Sequence, residues 1–200
     1  MGHIIVTGAG SGLGRALTIG LVERGHRVSM MGRRYQRLQE QEQLLGSAVI
    51  GIAADLAHHE EVDVAFAAAV EWGGLPDMVI HCAGVGEFGP VGVYTAEQIR
   101  RVVESNLIST ILVAQQTVRL IGEKGGVLAN VLSSAAQVGK ANESLYCAST
   151  TTPLANQILS ADLPLQGTGT PGSTIKLVVD GELASATDVL VGSDGQWQST

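Results

Sequence analysis

The chain has 200 residues, 26 of them glycine, 45% hydrophobic and 4% aromatic, with a net charge of −7. That length suits one domain with a substantial core, or one domain and a small appendage. The acidic balance argues against nucleic acid or an anionic membrane as the main partner. No apolar run reaches bilayer length and no signal peptide is expected. Cys82 and Cys147, the two cysteines, have no His or Cys neighbour at metal spacing; buried free thiols and a reducing cytoplasm are expected.

A short apolar run, His3-Ile4-Ile5-Val6, leads into Thr7-Gly8-Ala9-Gly10-Ser11-Gly12-Leu13-Gly14-Arg15 and then into an amphipathic pattern of Ala16, Leu17, Ile19, Leu21 and Val22. This reads as strand, glycine-rich turn and helix. In such a unit one glycine permits the sharp turn, one the approach of a pyrophosphate, and one close helix–sheet packing. The free N–H groups and dipole at the helix start favour negative charge, so a dinucleotide site is predicted here. The form T-G-x-x-x-G-x-G resembles that of the short-chain dehydrogenase/reductase family rather than the G-x-G-x-x-G of other Rossmann enzymes.

A second strand, Arg27–Met31, ends at Gly32-Arg33-Arg34. An acidic residue at this strand end suits the ribose 2′-hydroxyl of NAD, whereas arginine suits the 2′-phosphate of NADP. No acid is present, Arg33 and Arg34 are, and Arg15 adds a third cation, so NADP(H) is expected over NAD(H). The other reading makes Arg33 and Arg34 the solvated start of a polar helix reaching Leu45. A third strand, Ala48–Ile52, leads to Ala53-Ala54-Asp55-Leu56. The resemblance implies that the Asp55 carboxylate, with Leu56 beside it, lies near the adenine amino group; an N-cap role for the next helix is the alternative. That helix runs to Trp72, and His58 and His59 in its first turn are expected to be solvated, with no metal.

The fourth strand, Asp77–His81, ends in Cys82-Ala83-Gly84. The family pattern here is N-N-A-G; Ala83 and Gly84 match, while His81 and Cys82 replace the two amides, and whatever those amides hold must be held differently. Val85–Tyr94 is a loop where substrate would enter. A long helix follows, roughly Thr95–Gly122, and by the resemblance its Asn106 kinks the helix and holds a water in the proton relay. A fifth, buried parallel strand, Gly126–Leu132, leads to Ser133-Ser134 and then to Tyr146-Cys147-Ala148-Ser149. The resemblance makes Tyr146 the general acid and Ser134 the hydrogen-bond donor to the carbonyl oxygen. Ser133 restores the usual Ser–Tyr separation but points to the other side of the strand end.

The alternation predicts a Rossmann-type doubly wound parallel α/β sheet over residues 3–149. Thr150 departs from the family's Y-x-x-x-K. A lysine cation there lowers a tyrosine's pKa from its ordinary value of ~10. Thr150 carries no charge and cannot do so, and nothing places the Lys140 amine there. Beyond this point the family's last strands are missing. Instead Thr174–Asp180, Thr187–Val191 and Gln196–Gln198 read as strands of β-hairpins turning at Asp180-Gly181 and Ser193-Asp194-Gly195. The stretch from Gly167 to Ile175, with Asp194–Trp197, resembles part of a bacterial immunoglobulin-like repeat. The expected domains are therefore 1–149, an NADP-binding Rossmann domain, and 150–200, a β-hairpin-rich tail joined as a fusion or frame shift would join it. The fifth strand is left with an open edge, to be covered by a tail strand or by homo-oligomerisation. Three functions stay open: an oxidoreductase moving hydride between NADP(H) and a small carbonyl or alcohol, impaired by Thr150; an NADP-binding pseudoenzyme; and a chimeric structural protein.

Overall fold

The computed structural model describes residues 2–133, 135, 140–150 and 193, together with the backbone of strands 166–168, 174–179, 182–190 and 196–198. The chain divides into two compact units, Met1–Pro153 and Leu154–Thr200.

In the first unit, apolar runs bounded by glycine and polar residues form five strands: β1 His3–Thr7, β2 Arg27–Gly32, β3 Val49–Ala53, β4 Met78–His81 and β5 Val127–Asn130. All pairings are parallel, in the order β3-β2-β1-β4-β5. Helices α1 Gly12–Glu23, α2 Tyr35–Leu45 and α3 His59–Gly73 alternate with the first four strands. Successive side chains of a strand point to opposite faces. Ile4 and Val6 accordingly join Val28, Met30, Leu38 and Ile80 in a core that Leu17 and Leu21 of α1 cover. Ile5 points the other way, with Met31, Phe66, Val79 and Val113. Burial on both faces explains why the strands read as near-continuous apolar runs. The order reverses between β1 and its two neighbours, which opens a crevice at the carboxyl ends of β1 and β4.

The single helix expected over 95–122 is three pieces: α4 Ala96–Val103, a π-helical turn Glu104–Ile108, and α5 Ser109–Ile121. A reciprocal capping box between Thr95 and Gln98 starts it. Asn106 sits inside the π-turn, so the expected distortion is a one-turn widening, not a break. Last comes α6, Ser144–Ser149. At the end of the sheet away from the crevice, His3 is buried; its Nδ1 donates to Gly74 O (2.8 Å) and the Ser29 hydroxyl donates to its Nε2 (2.9 Å).

In the second unit β6 Gln166–Thr168 pairs with β9 Gln196–Gln198, and β7 Thr174–Val179 with β8 Glu182–Leu190, both antiparallel. β6 was not expected, and β8 starts five residues before Thr187. Leu183–Ala186 lacks the β-branched residues that mark a strand, yet pairing Val179 with Glu182 carries the ladder through it. The expected turn at Asp180-Gly181, and Asp194-Gly195 of the next, lie outside the described residues. The described tail strands form two two-stranded sheets, and β5 is one edge of the five-stranded sheet among the described residues.

Phe66 is fully buried in the α3-side core. Phe66→Ala is expected to lower stability by about 3–5 kcal/mol, read as an earlier urea midpoint.

Candidate functional site

The turn after β1 is dictated by close backbone contact. Gly8 has φ +64°, and a Cβ there would lie 2.8 Å from Ala83 N; a Cβ on Gly14 would lie 2.5 Å from Gly8 O. Gly12 faces open space but has φ +53°, a region costly for other residues. Ser11 is the N-cap of α1 yet makes no side-chain cap bond, so the first N–H groups of the helix stay available.

These residues wall a cavity of about 470 Å³ over the carboxyl ends of the strands. Gly8, Gly10, Ser11, Gly12, Leu13 and Gly14 form one side. Gly32, Arg33 and Arg34 come from the end of β2, Asp55 and Leu56 from the end of β3, and Cys82, Ala83 and Gly84 from the end of β4. Two expected residues do not line it among the described residues: Thr7 is buried behind the turn, and Arg15 is exposed on α1. Arg34 Nη2 lies 3.4 Å from Ser11 Oγ, and Arg33 Nη1 lies 4.0 Å from Asp55 Oδ2. Asp55 Oδ1 accepts from Ala57 N at 3.1 Å, while the N-cap of α3 is His58. Asp55 therefore closes the turn before the helix and does not cap it. His58 and His59 are exposed and lie near Glu61 and Asp63, and no His, Cys, Asp or Glu cluster with metal geometry occurs among the described residues.

Under this groove lies a polar contact that motif reading did not anticipate. Thr7 Oγ1 is 2.8 Å from His81 Nδ1 and accepts from the N–H groups of Cys82 (3.2 Å) and Ala83 (3.3 Å). His81 Nε2 is 3.4 Å from Ser109 Oγ. Only 2% of His81 is exposed, and burial lowers its pKa to about 4, so the ring is neutral at pH 7. Burial raises the Cys82 pKa to about 11, which keeps it a thiol. The signal for this contact was present: a histidine stood where the family pattern has an amide.

A second cavity of about 290 Å³ shares Cys82, Ala83, Gly84 and Val85 with the first. Tyr146, Asn106, Ser133, Phe88 and Thr150 line it, and none of its described lining residues is charged. Asn106 Oδ1 accepts from Val85 N, and Nδ2 donates to Val85 O, each at 2.8 Å; Nδ2 also donates to Ser149 Oγ at 2.9 Å. The Ser149 hydroxyl in turn donates to Tyr146 O at 2.9 Å. Asn106 thus ties the Val85 loop to the helix that carries Tyr146. Phe88, which no pattern singled out, packs edge-on to Tyr146 with ring centres 5.6 Å apart. The Thr150 hydroxyl donates to Tyr146 O at 3.0 Å, so it is spent on the end of α6. Lys140 is exposed, and Ser134 lies outside the described residues.

A crevice at the switch point of a parallel sheet, walled by a glycine turn and a helix start, defines a protein of the Rossmann-like doubly wound α/β class. The chain belongs to the short chain dehydrogenase family, whose model matches residues 2–152. It is 29% identical over 146 residues to carbonyl reductase family member 4 of Danio rerio, covering 72% of this chain and 62% of that protein. It is also 29% identical to an NADPH-dependent pterin aldehyde reductase of Arabidopsis thaliana, covering 73% and 62%. A crystal structure from Aeromonas hydrophila, of a protein assigned to the short chain dehydrogenase/reductase family as an oxidoreductase, is 85% identical with a TM-score of 0.66, covering 75% of this chain and 69% of that one. The chain thus spans about three fifths (62%) of the length of these two curated relatives. No helix among the described residues is long and apolar enough to cross a membrane.

The buried imidazole makes stability depend on pH. With a folded pKa of about 4 against an ordinary 6.5, the unfolded chain binds more protons between those values. Stability is therefore full above about pH 6.5 and falls on acidification, by about 2 kcal/mol between pH 7 and 5. His3, also lowered by burial, acts in the same direction. Urea midpoints at the two pH values check this, and His81→Asn should shrink the difference by about 2 kcal/mol.

Proposed function

We propose that the first unit binds NADP(H), in preference to NAD(H), and works on a small carbonyl or alcohol substrate as an oxidoreductase impaired by Thr150. The observation that carries the reading is the groove at Gly8–Gly14, where backbone contact excludes Cβ atoms and the N-terminus of α1 faces a cavity flanked by Arg33 and Arg34. These features fit a dinucleotide: glycines admit the pyrophosphate, the helix start favours its charge, and a guanidinium holds a phosphate through two N–H groups. Asp55, the acid at the adenosine end, comes from the end of β3 and lies near Arg33, so the end of β2 itself presents cations. The Arabidopsis relative is named as NADPH-dependent, which supports the same preference.

The bound nicotinamide supplies or accepts the hydride. The chain's own residues do the rest. Tyr146 gives a proton to the carbonyl oxygen in the reductive direction, and Ser134 donates a hydrogen bond to the same oxygen. Asn106 holds α6 and the Val85 loop in place around Tyr146. Ser133 lines the cavity with Tyr146, which favours a second reading in which Ser133 supplies that hydrogen bond. The uncharged described lining and the engaged Thr150 hydroxyl support weak acid–base assistance, a loss of about 10²–10⁴-fold. The extreme of that loss is an NADP-binding pseudoenzyme.

Residues 1–149 are the NADP-binding domain in this proposal, without the family's last strands, and 150–200 are a β-hairpin-rich tail. Support comes from the unit boundary at Pro153–Leu154 and the two antiparallel tail pairings, of which β7–β8 joins successive strands. The two free cysteines support a cytoplasmic setting, and the β5 edge supports homo-oligomerisation.

Fluorescence titration with NADPH and NADH, followed by assay on a carbonyl panel, tests the reading. Arg33→Ala with Arg34→Ala is expected to weaken NADPH by about 10–100-fold and to leave NADH nearly unchanged. Thr150→Lys is expected to raise turnover. In that background, Ser134→Ala and Ser133→Ala show which hydroxyl serves the substrate oxygen. Absence of NADPH binding overturns the proposal.

A further inference from the structure

Thr7 has one hydroxyl proton and two lone pairs. Both lone pairs face donors, the N–H groups of Cys82 and Ala83 at 3.2 and 3.3 Å. The proton is left for the third neighbour, His81 Nδ1 at 2.8 Å. Nδ1 is then an acceptor, and the ring hydrogen sits on Nε2, pointing at Ser109 Oγ. Ser109 accepts it and donates its own proton to Ser105 O at 2.6 Å. Every group in the chain of contacts is satisfied in one direction. The opposite tautomer brings a third donor to Thr7 and leaves the Thr7 proton without an acceptor, in a place where Thr7 is fully buried and His81 nearly so.

The ends of this relay are walls of the groove. Cys82 and Ala83 form one side, and Ser105 and Ser109 another. Gly8 lies so close to Ala83 that no Cβ fits between them. We infer that His81 is a positioning residue for the groove: held as the Nε2–H tautomer, it orients the Thr7 hydroxyl and through it sets the Cys82–Ala83 backbone against the Gly8 turn, while its other nitrogen ties the same strand end to α5. The role follows from atom placement. Nδ1 is bonded to Cγ, as Oδ1 is in asparagine, so an asparagine offers Thr7 an acceptor in the same place; leucine offers none.

The binding arm of the test rests on the NADP(H) reading; the spectroscopic arm does not. In the whole 200-residue chain labelled with ¹⁵N-histidine at pH 7, the spin system missing from His81→Asn identifies the residue. It should show an unprotonated Nδ1 and a protonated Nε2; the reverse overturns the inference. NADPH affinity should fall about tenfold in His81→Leu and stay within about threefold in His81→Asn. Amide resonances of Cys82 and Ala83 should shift in the leucine variant and stay near their wild-type positions in the asparagine variant. A folded His81→Leu that binds NADPH like wild type overturns the inference, and so do unmoved amides. If wild type itself binds no NADPH, the functional proposal fails, and the tautomer and amide shifts alone decide this one. Should His81→Leu not fold, the wild-type ring spectrum decides.

Discussion

The first turn of the chain lies in contact with the backbone at the end of the fourth strand. Gly8 meets Ala83 with no space for a side chain, and the preceding Thr7 hydroxyl receives the N–H groups of Cys82 and Ala83. This contact joins two strands that are 74 residues apart at Thr7 and His81 but neighbours in the sheet. Nearly every wall of the groove is referenced to it. The glycine turn sets where α1 begins, the 82–84 backbone divides the two cavities, and α5 is tied in through His81 and Ser109. A buried backbone donor left without a partner costs roughly 1–3 kcal/mol, so the contact is also a specification: the two strand ends meet in one register.

The second cavity depends on a different set of bonds but the same logic. Asn106 sits in a π-turn, which widens the helix and turns its amide toward the loop at Val85 and the helix at Ser149. Through the Ser149 hydroxyl the connection reaches the backbone of Tyr146. The tyrosine is thereby held from behind, while Phe88 packs against its ring from the side. The scaffold around the phenol is in place even though the fourth residue after it carries no charge. In the proposed reaction, binding geometry and acid–base strength are separable, because one would be set by backbone contacts and the other by a single side chain.

The strands of the first unit and the glycine, arginine and Cys82–Gly84 walls of the groove were legible because their signals are local, whereas Ser105 and Ser109 reach it only through the fold. A glycine turn between an apolar run and an amphipathic helix, or two arginines at a strand end, can be read from spacing alone. The π-turn was legible only as a distortion at Asn106, since its backbone pattern is set by what the side chain reaches. Phe88 left no signal, because a loop phenylalanine becomes a wall only once the loop is folded over α6. In the tail, β8 was read short because Leu183–Ala186 has weak strand preference, and cross-strand pairing overrode it.

By itself, the sequence determined the parallel sheet, the glycine turn, the cations at the end of β2 and the loss of charge at Thr150. Each of these is a property of residue type at short spacing. Tertiary structure alone decided how the departures from the pattern are accommodated. It placed a buried neutral histidine between Thr7 and Ser109, where the lone pairs of one threonine leave a single orientation open. It spent the hydroxyl of Thr150 on the helix end and turned Asp55 toward Arg33. A hydrogen bond is chosen by the partners that folding brings within reach, and those partners lie up to 76 residues away in the chain.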